Sequence, residues 1–242
     1  MTIEIGQHAA WHFFGLTFNS DTIISSLVVS SFILVFAVAA KFFVIKRSKH
    51  ISGMQAVCEL LYGFSASISE GVMGSKGKKY SSFIASLFIF ILVANVFGVL
   101  PVTEVLELFL GKFFLHIPKL EAPTADINTT IALALTVFFA IHFYGVKAKG
   151  IAYFKRFISP NIVFLPLNIM EELSRPLSLA VRLFGNTFGK ATILLILVSL
   201  VSFPFIYPIP ILALGLFIAF VQAYIFALLT TFYMASAISD GH

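Results

Sequence analysis

A chain of 242 residues that is 59% hydrophobic and only 11% charged falls far below the roughly 25% charge of a soluble domain, and a water-soluble fold of this size cannot hide so much apolar surface. The formal net charge of +5 does not signal a nucleic-acid partner, because Lys and Arg sit at the ends of apolar runs rather than in a stripe with stacking aromatics. A single cysteine, Cys58, excludes an internal disulfide framework and a Cys-rich metal site; no metal, cofactor or redox chemistry is expected.

In chain order, the first 20 residues contain no Lys or Arg and no small-residue cleavage site, so they do not read as a secretory signal peptide. Trp11 reads as an interfacial anchor, and His8, His12 and His116 as solvated loop residues at no metal-ligand spacing. Apolar runs follow at about residues 21 to 45, 80 to 100, 126 to 146, 166 to 203 and 207 to 238, each long enough to cross a hydrocarbon core of about 30 Å as a helix. The last two overrun a perpendicular crossing and must tilt, curve or lie partly along the surface. Between the first two runs, residues 53 to 73 place Val57, Leu60, Leu61, Phe64 and Ile68 at helical spacing, which predicts an amphipathic helix on the cytoplasmic membrane face. The segment after Pro101, broken by Gly111, Pro118 and Pro123, reads as a loop with short helical pieces. Without an internal repeat or a second domain, residues 1–242 are expected to form one all-α integral membrane domain of about five transmembrane helices.

Loop charge sets the expected orientation. Lys46, Arg47, Lys49, Lys76, Lys78 and Lys79 lie between the first two spans, and Lys147, Lys149, Lys155 and Arg156 follow the third; these loops should be cytoplasmic. The loop from 101 to 125 holds Glu104, Glu107 and Glu121 against Lys112 and Lys119, and the N-terminus carries Glu4 and Asp21 without a basic residue. Both belong outside, with the C-terminus in the cytoplasm.

The informative segment runs from Leu167 to Ser202, where Glu171, Glu172, Arg175, Arg182, Asn186 and Lys190 interrupt an apolar helix. On insertion scales a mid-bilayer Arg or Lys costs about 2.5 to 3.5 kcal/mol, so such residues mark function. At about 100° per residue, Glu171, Arg175, Ser178, Gly185, Asn186 and Gly189 fall within roughly 60° of Arg182, and all but Gly185 within roughly 40°. They form one polar, partly small-residue ridge opposite Leu173, Leu177, Ala180, Leu194 and Leu195. Glu171, Glu172 and Arg175 lie near the cytoplasmic start, either as structural ion pairs or as channel lining. Arg182 lies deeper with no obvious acidic partner in this chain's spans, which implies a carboxylate from another chain. Gln222 in the last span either bonds across to the preceding helix or accepts a guanidinium hydrogen bond from Arg182. Asn95 and His142 are interhelical hydrogen bonders or line an aqueous path.

These residues carry a resemblance. Glu-Leu-Ser-Arg-Pro-Leu-Ser-Leu-Ala-Val-Arg-Leu-Phe-Gly-Asn from Glu172 to Asn186, Gln222-Ala-Tyr-Ile-Phe-Ala-Leu-Leu-Thr, Pro123-Thr-Ala-Asp-Ile-Asn-Thr-Thr and Asn95-Val-Phe-Gly-Val-Leu-Pro closely resemble subunit a of bacterial F-type ATP synthases over most of the chain. The resemblance implies a long, tilted helical hairpin against a rotating ring of c subunits, each with a membrane-embedded carboxylate. It implies a stator with two half-channels and no catalytic site of its own, partnered by peripheral-stalk b subunits in a bacterial plasma membrane. Arg182 stands at the essential arginine, and Asn186 and Gln222 are polar neighbours of the ion path.

Two positions depart from the family pattern. Where many members carry an acidic residue nine positions after the arginine, this chain has Ala191 preceded by Lys190; where some carry a His seven before the glutamine, it has Gly215. That pairing resembles subunits from alkaliphilic bacilli, and Lys190 is expected in the outer half-channel unless it snorkels to the outer interface. Proton is the expected coupling ion. A secondary transporter is the rival class, since intramembrane charges also mark substrate paths, but repeated halves are absent; a structural anchor would carry no deep unpaired charge.

Overall fold

The computed structural model describes residues 10–13, 16–45, 53–100, 122–158, 161–200 and 208–239. Apart from a short antiparallel ribbon of β1 (Ala10–Phe13) and β2 (Leu16–Asn19), with Trp11 opposite Phe18, the described residues are mainly helical. The ribbon was not anticipated: it puts His12 in a strand opposite Thr17 rather than in a loop. His8, His116, the acidic segment 101–121, the basic residues Lys46, Arg47 and Lys49, and the connection 201–207 lie outside the described residues.

The helices are α1 (Ser20–Ile45), α2 (Gly53–Met73), α3 (Ser81–Phe97), α4 (Ile127–Lys149), α5 (Leu165–Leu200) and α6 (Pro208–Ile238). By length and composition, three stretches among the described residues are long and apolar enough to cross a membrane: Thr22–Phe42, Ile127–Ile158 and Leu212–Ile238. α3 is as apolar but shorter, with 17 residues, and α5 owes its lower apolarity to its charges. At roughly 1.5 Å per residue, the 36 residues of α5 reach about 54 Å, and the 31 of α6 about 46 Å.

Leu27, Phe32, Leu34, Val35, Val38 and Phe42 make most of α1 exposed and apolar, a surface suited to lipid rather than water. In such a medium apolar burial no longer drives helices together, and close van der Waals packing by small residues takes over. α6 shows this directly: Ala219, Ala223 and Ala227 recur every fourth residue and are fully buried, letting α3 press against it through Ile84, Phe88 and Ile91. α4 packs chiefly on α5, with Ala134, Val137 and Ile141 against Leu179 and Leu183. α5 and α6 touch each other more lightly than either touches its main partner.

α2 packs on both α3 and α6. Phe64 stands 5.3 Å from Phe88 and 5.5 Å from Phe220 by ring centroids, and Ile68 is buried, whereas Val57 and Leu60 on the expected apolar face stay exposed. Its apolar stripe is thus shared between the bundle and the surroundings.

Local chemistry fixes the helix ends. Asp126 caps α4, its Oδ1 accepting from the Asn128 backbone N–H at 2.9 Å, while its Oδ2 accepts from Thr22 at 2.9 Å and so ties the start of α1 to the start of α4. Gly150 ends α4 with φ of 61°, a region that favours glycine. Five residues earlier Gly145 lets the fully buried Tyr153 fold back: an added Cβ would lie 2.3 Å from the Tyr153 ring. Gly145→Ala should therefore destabilise the protein by about 1–3 kcal/mol through overpacking, read as a lower thermal midpoint in detergent, and Tyr153→Leu in the same chain should recover part of the loss.

Candidate functional site

α5 carries two faces. Its inner face, made by Glu172, Leu179, Ala180, Leu183 and Thr187, is buried. Its outer ridge, about 100° away around the helix, exposes Glu171, Ser178, Arg182, Gly185 and Asn186. The ridge is sterically open at Gly185 and Gly189, where an added Cβ would meet nothing within 4 Å.

At the start of α5, charges gather. The turn after α4 brings Arg156 onto Glu172, with which it forms an ion pair. The Arg156 guanidinium carbon lies 5.0 Å from the Tyr153 ring centroid and 5.6 Å from that of Phe157, so two aromatic faces hold the cation where it meets the carboxylate. Arg175 reaches the same Glu172 oxygen at 2.9 Å and Glu171 at 2.7 Å. It also lies 5.3 Å from the Tyr233 ring centroid and donates to Ser236 Oγ at 3.4 Å, both on α6. A cleft of about 220 Å³ opens among Arg156, Asn168, Glu171, Glu172, Arg175 and Ser236. His142 presents Nδ1 to the Phe138 carbonyl at 2.8 Å; a carbonyl only accepts, so Nδ1 carries the hydrogen and Nε2 faces Glu172 at 4.0 Å.

Farther along α5 lies a second polar group. Thr187 donates to the Leu183 carbonyl at 3.0 Å and reaches the Thr124 hydroxyl at 3.5 Å, and Thr124 donates to Asn95 Oδ1 at 2.7 Å. One residue away, Asn186 donates from its amide to Gln222 Oε1. Gln222 is buried, and its own Nε2, like Nδ2 of Asn95, has no hydrogen-bond partner among the described residues. Gly215 is half-buried, and a Cβ there would lie 2.8 Å from Val99.

Arg182 stands between the two groups, about 10 Å after Arg175 and 6 Å before Asn186 along the axis. It is exposed, with no ion pair or hydrogen bond from its guanidinium among the described residues. Of the two roles open to Gln222, the structure has the one across to α5, through Asn186. Glu171, Glu172 and Arg175 are joined as ion pairs, and all three border the cleft. Lys190 belongs to α5, and its side chain, like that of Ala191, lies outside the described residues. Sequence reasoning missed Arg156 as the partner of Glu172, because a pair 16 residues apart across a turn leaves no helical periodicity; it also missed Thr124 and Thr187, whose hydroxyls carry no hydropathy signal.

A multi-helix membrane protein whose long helix shows, between two polar groups, a cation unpaired among the described residues belongs with proteins that move charge across a bilayer. The sequence matches the family of the ATP synthase A chain over residues 23–235, and the chain belongs to that family, the a subunits of F-type ATP synthases. It is therefore a multi-pass membrane subunit of the ATP synthase complex that serves proton transport and ATP synthesis.

The Asn186–Gln222 contact makes its own prediction. Asn186→Ala should leave the buried Gln222 carbonyl unpaired and cost about 1–3 kcal/mol. A double-mutant cycle with Gln222→Leu, read by thermal midpoint, should return a positive coupling energy, and additive losses would exclude the bond.

Proposed function

We propose that Arg182 is the fixed charge past which a rotating ring of c subunits carries its carboxylates, and that the two polar groups flanking it belong to two offset half-channels. The observation that carries this reading is the exposed guanidinium, unpartnered among the described residues, on the open ridge of α5. A cation held there at a cost of about 2.5 to 3.5 kcal/mol is compensated when an anionic partner arrives from another chain.

On this reading α1, α3, α4, α5 and α6 cross a bacterial plasma membrane with the N-terminus outside, and the long helices α5 and α6 tilt to fit it. The Glu171, Glu172, Arg175 and Ser178 end then faces the cytoplasm, beside the basic residues Lys147, Lys149 and Lys155. The Asn186, Gln222, Gly215 and Lys190 end faces outward. A ring carboxylate reaching Arg182 is favoured as the anion by the opposite charge and releases its proton toward the cytoplasmic cleft. The next ring site, protonated from the outer side, is neutral and enters lipid. The fixed charge repels a proton passing directly between the half-channels, so transfer requires rotation. Each elementary charge moved yields about 2.3 kcal/mol per 100 mV, and several are summed for each ATP. The b subunits of the peripheral stalk hold this chain against the torque.

ATP-driven pumping in vesicles bearing the whole complex, followed with a proton-sensitive dye with and without sodium, tests the proposal. Arg182→Ala should abolish pumping while the complex still assembles, and sodium should not alter the parent signal; undiminished pumping by the variant would exclude Arg182 from the ion path. For Lys190, whose charge in the outer half-channel would hinder proton loss to an alkaline exterior, Lys190→Ala should lower ATP synthesis at alkaline external pH and leave it near parental at neutral pH. Equal synthesis at both would assign Lys190 to the outer interface instead.

A further inference from the structure

The charged group at the start of α5 contains two adjacent carboxylates in unlike settings. The Glu171 side chain keeps 63% of its surface exposed and the Glu172 side chain 8%. Glu171 lies on the ridge with Arg182. Glu172 lies on the inner face with Leu179 and Leu183, which pack against α4, and both of its arginine partners meet the same oxygen, Oε1. Those partners pull in different directions. Arg156 belongs to the turn after α4, anchored on Tyr153 and Phe157, whereas Arg175 leans on Tyr233 and Ser236 of α6. Pro176 also lies in this turn of α5; lacking an N–H, it cannot bond the backbone carbonyl of Glu172, so the helix is locally weaker where the side-chain grip is strongest.

From this geometry we infer that Glu172 is a positioning residue: through Arg156 and Arg175 it sets the rotation of α5 about its own axis, and so the direction in which Arg182 points. The inner face is held by side chains at both ends, by Glu172 on Arg156 at one and by Thr187 beside Thr124 at the other, with Leu179 and Leu183 between. Apolar contacts alone resist rotation weakly, since Leu packs on Ala in several azimuths; a carboxylate oxygen met by two guanidinium groups from different elements narrows that range. With side chains reaching roughly 5–6 Å from the axis, a rotation of about 20° sweeps the Arg182 tip about 2 Å. Misplacement of a reacting group by even 1 Å can slow a step by about a hundredfold. The inference rests on Arg182 being the working charge, and it gives Glu172 a holding role although Glu172 borders the same cleft as Glu171.

The test compares Glu172→Gln with Glu172→Ala in whole complexes, with pumping normalised to assembled subunit and Arg182→Ala run alongside. The Gln carbonyl accepts the same guanidinium hydrogen bonds but cannot carry a proton. A positioning role predicts that Glu172→Gln keeps about half or more of parental pumping, and that Glu172→Ala falls by about tenfold or more. In a Cys58→Ala background, the alkylation rate of Gly185→Cys on the ridge should change with Glu172→Ala and not with Glu172→Gln. Silence of Glu172→Gln in assembled complexes would overturn the inference in favour of a proton carrier, and so would an alkylation rate indifferent to Glu172→Ala. Should Arg182→Ala itself pump, the underlying reading fails, whatever the Glu172 variants do.

Discussion

Glu172 and Arg156 meet across the turn that joins α4 to α5, and most of what is distinctive in the chain is arranged around that contact. A carboxylate taken out of water has to be met by cations and hydrogen bonds, because leaving one partner alone costs more than the pair returns. Here the aromatic rings of Tyr153 and Phe157 flank Arg156, Gly145 makes room for Tyr153, and Gly150 gives the turn its backbone path. Asn168 donates to the Phe157 carbonyl at 2.8 Å and ties the same turn to α5. Glycine, tyrosine, arginine and glutamate thus form one chain of dependence from the end of α4 to the start of the functional helix.

The other end of the bundle is held by side-chain hydrogen bonds, one of them to a carboxylate. Thr22 on Asp126, Thr124 on Asn95, and Asn186 on Gln222 link five helices through side-chain hydrogen bonds. In a medium without water, an amide or hydroxyl has to find its partner within the protein, and the hydroxyls of Thr231 and Thr187 do so on their own helix carbonyls four residues back. The amide nitrogens of Asn95 and Gln222 are exceptions among the described residues. Buried polar groups of that kind are ordinarily met by ordered water, which the proposed outer half-channel would supply.

The all-α membrane architecture is legible in the sequence because lipid imposes length and apolarity on each crossing, and both can be counted. The ridge on α5 is legible for a similar reason: Glu171, Arg175, Ser178, Arg182 and Asn186 repeat at helical spacing, so one turn angle gathers them. What pairs with what is not. Arg156 reads from its loop as a topology signal, and only folding shows it turned inward onto Glu172. Asp126 sits in a recognisable motif, yet its hold on Thr22 spans 104 residues. The ribbon before α1 escapes notice because four-residue strands are too short to show alternation, and the helical spacing that marks the apolar stripe of α2 does not say that Phe64 meets Phe88 and Phe220.

That Arg182 has no partner among the described residues also has a kinetic meaning on the proposed mechanism. If a carboxylate of this chain were paired with it as tightly as Glu172 is with Arg156, each arriving ring carboxylate would first have to displace that partner, and a buried pair broken in this way costs about 3–5 kcal/mol. That would exceed the roughly 2.3 kcal/mol that one charge gains from 100 mV, and rotation would stall at every site. The chain separates the two tasks instead. Its buried carboxylate and two arginines form a joint at the start of α5, and its exposed Arg182 has no partner among the described residues, so on the proposed mechanism a strong interaction holds the helix while a weaker, exchangeable one passes along it.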